Sequence, residues 1–260
     1  MLLAADIGNS DITLGFYDKN TWLFEYRIAT QPLRNVPTYA HLLRDFMLEN
    51  DIKTDKIQEV IVSSVVPTHT EAVSEAMKLL FDFVPWVMGA DLYAKLPIPI
   101  LNPYEIGADL VANVMAAHRI YPKNNVLVID FGTALTFTLL SDEGQILGVN
   151  IAPGLKTAMY SLFQKTAQLP EVPLQFPPSI LGATTETALQ GGVLWGYVGL
   201  VEGMVKRIKT QLQLSDCKVI ATGGLVEVLY PLHALYDQMN RFHTLEGLRY
   251  VVDVLKDSKS

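Results

Sequence analysis

Residues 126–134, Val126-Leu127-Val128-Ile129-Asp130-Phe131-Gly132-Thr133-Ala134, decide the fold because residues 2–10, Leu2-Leu3-Ala4-Ala5-Asp6-Ile7-Gly8-Asn9-Ser10, repeat their pattern. The two aspartates stand 130 − 6 = 124 positions apart in a chain of 260 residues. In each copy an apolar run that reads as a buried strand ends on a carboxylate. Gly8 or Gly132 follows, where a backbone without Cβ turns tightly and approaches a ligand. Next comes a small polar residue whose side chain and N–H can face phosphate oxygens. A second apolar segment completes each copy, Ile12 to Tyr17 and Leu135 to Leu140, so each reads as strand, tight turn, strand. Two such hairpins facing each other would make a two-sided phosphate clamp. Asp-x-Gly alone is ordinary turn chemistry, and it is the repetition half a chain apart that favours function.

Around these hairpins the periodicity alternates. A helical stretch is expected from Thr38 to Glu49, a strand from Glu59 to Val65 stopped by Pro67, and a helix from Thr70 to Leu80. Strands alternating with helices imply an α/β sheet with mixed pairing. Residues 96–103, Leu-Pro-Ile-Pro-Ile-Leu-Asn-Pro, form a stiff, extended link before a helix that begins near Gly107. That link marks the boundary zone, giving halves at 1–115 and 116–260. The second proline-dense stretch, Leu169 to Pro178, reads as a surface loop.

Composition narrows the function. Half the residues are hydrophobic, yet charged or polar residues break every apolar run before the roughly 18 needed to span a bilayer. Met1 to Asp6 lacks the basic start and the length of a signal peptide, so the chain reads as cytoplasmic. The single cysteine, Cys217, excludes an internal disulfide, and no His/Cys cluster has zinc spacing. A net charge of −7 argues against nucleic acid. The five histidines, at 41, 69, 118, 233 and 243, share no spacing and read as non-catalytic.

Paired phosphate hairpins in a duplicated chain resemble the actin-like ATPase superfamily of sugar kinases, Hsp70 chaperones and acetate kinase. Residues 102–109 (Asn-Pro-Tyr-Glu-Ile-Gly-Ala-Asp), 151–155 (Ile-Ala-Pro-Gly-Leu), 166–170 (Thr-Ala-Gln-Leu-Pro) and 221–225 (Ala-Thr-Gly-Gly-Leu) resemble the successive signatures of type III pantothenate kinase. With the hairpins they occur in the expected order over nearly the whole chain. The resemblance implies duplicated actin-like (ribonuclease H-like) domains with mixed β-sheets and flanking helices. It also implies ATP-dependent phosphorylation of the primary hydroxyl of pantothenate to 4'-phosphopantothenate, the first step of coenzyme A synthesis, in a homodimer.

Asp109 is the best candidate for chemistry. It stands in the first turn of its helix, where the dipole and free N–H groups favour an acid, and Asn113 shares its side four residues on. Those features alone fit an ordinary helix-start aspartate. The resemblance makes Asp109 the proton acceptor and Gly107, Ala108, Asp109, Leu110 and Thr185 substrate-binding. Leu110 departs from the family pattern, which has arginine, a natural partner for a carboxylate. Residues Asp6, Ile7, Gly8, Asn9, Ser10, Asp11, Ile12 and Thr13, with Thr133, are then ATP-binding. Asp6 is expected to hold Mg²⁺ through water, the usual mode of that strongly hydrated ion. By resemblance, Asp130 takes a monovalent cation, potassium or ammonium. Gly223-Gly224 would let backbone approach the adenosine. Thr184 could equally be an N-cap and Thr185 merely the first helical residue. The helix after it, Thr187 to Leu212, carries glycines at 192, 196, 199 and 203, which permit close approach of a second chain or of the helix's own sheet. Two other functions stay open: a kinase of the same scaffold for another small hydroxy acid, and a non-catalytic nucleotide-binding regulator.

Overall fold

The computed structural model describes residues 1–100, 102–165 and 169–257. Leu101 and residues 166–168 of the Thr-Ala-Gln-Leu-Pro motif lie outside them. Packing divides the chain into two units, 1–119 with 244–260, and 120–243.

In the first unit β1 (Leu2–Ile7), β2 (Asp11–Asp18) and β3 (Thr21–Ala29) form an antiparallel meander. After α1 (Val36–Glu49), β4 (Glu59–Ser64) joins parallel to β1. After α2 (Pro67–Phe81), β5 (Trp86–Val87) joins parallel to β4. The strand order is therefore β3-β2-β1-β4-β5. Central β1 reads as an unbroken apolar run because Leu2, Leu3, Ala4 and Ala5 are all buried. In β2 only the alternate residues Ile12, Leu14 and Phe16 enter the core beneath α1 and α2. Asn35 caps α1 by accepting from Thr38 N at 2.9 Å. Pro67 does more than stop β4: it sits in the first turn of α2, where a missing N–H costs nothing. A short α3 (Ala90–Tyr93) then leads by the Pro-rich link to α4 (Ala108–Ile120). Every residue of α4 from Leu110 to Ala117 is buried, the polar Asn113 included.

The second unit repeats the plan. β6 (Asn125–Phe131), β7 (Ala134–Leu140) and β8 (Ile146–Pro153) make the meander, followed by α5 (Leu155–Lys165) and α6 (Thr185–Gln211). β9 (Cys217–Thr222) and β10 (Gln238–Met239) add in parallel, giving order β10-β9-β6-β7-β8. Leu194, Tyr197, Val198, Val201 and Val205 of α6 cover Leu127, Ile129, Phe137 and Val219 of this sheet. The final helix, α7 (His243–Asp257), packs almost wholly with the first unit. Thr244 Oγ1 donates to Asn113 Oδ1 at 2.9 Å, and Trp22 Nε1 donates to Glu246 Oε1 at 2.7 Å. The halves drawn from sequence at 1–115 and 116–260 thus differ from the packing units, because the amphipathic run after residue 243 buries its apolar face on the earlier unit. No helix among the described residues is long and apolar enough to cross a membrane.

Candidate active site

In the first unit, Asp6 is the penultimate residue of β1, with Thr13 beside it on β2 and Ser63 beside it on β4. The turn Gly8-Asn9-Ser10 closes with Gly8 N donating to Asp11 O at 2.9 Å. A buried brace, which sequence spacing did not announce, holds this turn. Thr30 Oγ1 donates to Gly8 O at 2.7 Å, and Thr30 N donates to Ser10 O at 2.9 Å. His69 Nε2 lies 2.8 Å from Thr30 O, and both residues are about 1% exposed. Asn9, Ser10 and Asp11 remain exposed at the tip, where backbone N–H groups can meet a phosphate.

Asp109 lies half-buried in the first turn of α4. Its Oδ1 accepts from Leu110 N at 2.8 Å and folds over Gly107, where a Cβ would stand 2.5 Å away. Burial pushes the Asp109 carboxyl above its ordinary value, and the N–H groups of Leu110 and of Asp109 itself only partly offset this. Tyr93, at the end of α3, is buried nearby; burial and then the Asp109 charge push its phenol up to about 12. Asn113, four residues on in the same helix, is 1% exposed and accepts from Thr244 of α7. Leu110 is 8% exposed and belongs to the core.

In the second unit, Asp130 is the penultimate residue of β6, with Thr136 and Thr222 as its cross-strand neighbours. This turn is one residue shorter, since Asp6 faces Thr13 seven positions on and Asp130 faces Thr136 six positions on. Gly132 N donates to Ala134 O at 3.1 Å. The carbonyl of Thr133 accepts from Gly154 N at 3.0 Å and from Thr157 Oγ1 at 2.7 Å, so the residue 151–155 motif braces this turn as Thr30 braces the other. Tyr197 of α6 ties the same motif down by donating to Pro153 O at 2.7 Å. Asp130 Oδ1 leans over Gly223, whose φ is +97°. Thr184 is the N-cap of α6 in a reciprocal capping box with Thr187, and Thr185 is its exposed first residue. The cap thus falls to Thr184, which leaves the Thr185 side chain at the surface.

Two copies of one strand order, each with a carboxylate ending its central strand before a glycine turn, define the duplicated actin-like class. Solved structures agree in fold. A Baf family protein from Campylobacter jejuni matches over 98% of this chain and 99% of its own, at TM-score 0.57 and 18% identity. An inorganic polyphosphate/ATP-glucomannokinase from Arthrobacter matches over 98% of each chain, at TM-score 0.50 and 14% identity. Within that class, the family model described as type III pantothenate kinase matches residues 2–207, and the chain belongs to that family. A type III pantothenate kinase of Citrifermentans bemidjiense is 38% identical over 96% of this chain and 98% of its own length. One from Geotalea daltonii is 37% identical over 99% and 100%.

Proposed function

We propose that this chain transfers the γ-phosphoryl group of ATP to the primary hydroxyl of pantothenate, giving 4'-phosphopantothenate in the cytoplasm, where ATP is held. Asp109 carries the reading: a half-buried carboxylate with a raised pKa, in the motif where the family has its proton acceptor. The hydroxyl oxygen attacks the γ-phosphorus, the bond to the β–γ bridging oxygen breaks, ADP leaves, and the hydroxyl proton passes to Asp109. Residues 6–13 and Thr133 are assigned to the nucleotide, and Gly107, Ala108, Leu110 and Thr185 to the acceptor. Among the described residues no three His, Cys, Asp or Glu side chains gather into a metal cluster. Each turn instead offers its strand carboxylate among hydroxyl and carbonyl oxygens, with Asp11 also at the first tip, a donor set that fits hard cations. Asp6 would hold hydrated Mg²⁺ and Asp130 a potassium or ammonium ion. Such cations, when bound, neutralise phosphate charge.

A coupled ADP-release assay tests this reading. Release should need pantothenate and should fall when tetramethylammonium replaces potassium. Release stimulated only by other hydroxy acids would select a different acceptor, and none at all would favour a nucleotide-binding regulator. Leu110 is the observation behind the second of these three outcomes. Leu110→Arg should lower the KM for pantothenate roughly 10- to 150-fold, the equivalent of one charge-assisted hydrogen bond of about 1.5–3 kcal/mol, with less change in the KM for ATP. An unchanged or raised pantothenate KM in a folded variant means that another group already anchors the carboxylate.

We also propose a homodimer formed by the second unit. Among the described residues nothing of their own sheet approaches Gly192, Gly196 and Gly199, which face open space. On edge strand β8, Leu147 and Ile151 are 51% and 70% exposed, a surface that proteins normally cover. Gly196→Leu should halve the sedimenting mass while leaving the chain folded; a wild-type protein sedimenting as one chain would overturn the dimer.

A further inference from the structure

Ser63 and Thr222 occupy the same place in the two copies. Each is the parallel cross-strand partner of a strand-end carboxylate, Ser63 of Asp6 and Thr222 of Asp130. Register partners project from the same face of a sheet as close neighbours. Ser63 is 0% and Thr222 1% exposed, and neither hydroxyl has a hydrogen-bond partner among the described residues. Buried hydroxyls nearly always find a partner, and an orphan calls for a specific reason. Here the orphan recurs at the matching position of a duplicated sheet, beside the same residue type, so local packing in one unit does not explain it. The second unit adds the direction of the carboxylate: Asp130 Oδ1 stands 2.5 Å from where a Gly223 Cβ would be, against the residue that follows Thr222.

We infer that Ser63 and Thr222 are positioning residues for the two carboxylates, each hydroxyl donating to its neighbour's carboxylate oxygen when that carboxylate turns to hold its cation. This rests on the assignment of Asp6 to a divalent and Asp130 to a monovalent cation. Carboxylates that hold metals are commonly fixed by such outer hydrogen bonds, whose loss weakens metal binding about 10- to 100-fold. Full burial keeps these hydroxyls from being direct ligands in this conformation. They act instead through the carboxylates.

Thr222→Val keeps the shape and removes the hydroxyl. It should raise the melting temperature of the cation-free protein, because an unpaired buried polar group disappears. It should also raise the half-saturating potassium concentration about 10- to 100-fold, read as the potassium-induced rise in melting temperature against tetramethylammonium at equal ionic strength. Binding of Mn²⁺, followed by electron paramagnetic resonance, should stay unchanged. Ser63→Ala should show the converse, weaker Mn²⁺ binding with a normal potassium response, and Thr222→Ser should behave as wild type. If wild type shows no potassium response, the Asp130 assignment falls and the role of Thr222 with it. If wild type responds and Thr222→Val responds at the same concentration, the assignment stands and the inference is overturned. It is also overturned if Thr222→Val is less stable without cations, or if either variant weakens both ions alike, since those are the marks of a purely structural residue.

Discussion

Asp109→Asn is expected to lower turnover by roughly 10²–10⁴-fold, the scale for losing a general base, while raising the melting temperature at neutral pH. The two effects have one cause. Burial raises the carboxyl pKa because the charged form is poorly solvated beside α4. A carboxyl whose folded pKa exceeds its unfolded pKa contributes stability that is fully present below the unfolded value and lost as pH rises through the folded one. At neutral pH the ionised Asp109 is therefore a burden on the fold. Asparagine removes the charge and keeps an oxygen to accept from Leu110 N. The same shift places the acid limb of kcat/KM above the range of an ordinary aspartate. Turnover and melting temperature measured on one preparation decide the matter: near-normal activity would remove Asp109 from the mechanism, and a lower melting temperature would show that burial is not what sets its pKa.

Gly223→Ala should be among the most damaging single-methyl additions in the second unit. The new Cβ would stand 2.5 Å from Asp130 Oδ1 and 2.6 Å from Phe131 N, at a φ of +97° that L side chains rarely adopt. Overpacking costs about 1–3 kcal/mol and a left-handed backbone about 1–2 kcal/mol more. A loss of roughly 2–5 kcal/mol is thus expected in denaturant unfolding. Whatever yields must include the Asp130 carboxylate or the end of β6, so activity should fall even where the variant still folds. A shift below about 1 kcal/mol would show that the Asp130 carboxylate moves freely and is not held against β9.

The architecture was legible in the sequence where two independent signals coincided. The buried central strands stood out because unbroken apolar runs ended on Asp6 and Asp130, and the duplication fixed their equivalence. Helix α4 stood out because Gly107 and Asp109 preceded an apolar stretch. What stayed hidden depended on pairing across long sequence separations. The exposed strand β8 has no buried alternation to reveal it. Helix α7 carries its apolar face toward a partner more than a hundred residues earlier. The division of labour between Thr184 as cap and Thr185 as first helical residue had to come from geometry. The same holds for the brace from His69 through Thr30 to the Gly8 turn, since nothing in a Thr or a His separated by 39 positions announces a shared hydrogen bond. Helical spacing placed Asn113 four residues after Asp109, but it could not supply the bond from Thr244, which lies 131 positions away.

The return of α7 to the first unit sets an order of events during synthesis. Gly247 lies directly on the Ala112 carbonyl of α4, and Leu245 lies 2.7 Å from where a Gly15 Cβ would be on β2. The first sheet and α4 leave the ribosome early, but the helix that seals them is made only after the whole of residues 120–243. During that interval Gly15, Trp22 and Ala112 lack their cover, and a nascent first unit waits with an open apolar face. A ribosome stalled anywhere in the second unit therefore presents chaperones and proteases with an unsealed half. Only chains translated past α7 hide it.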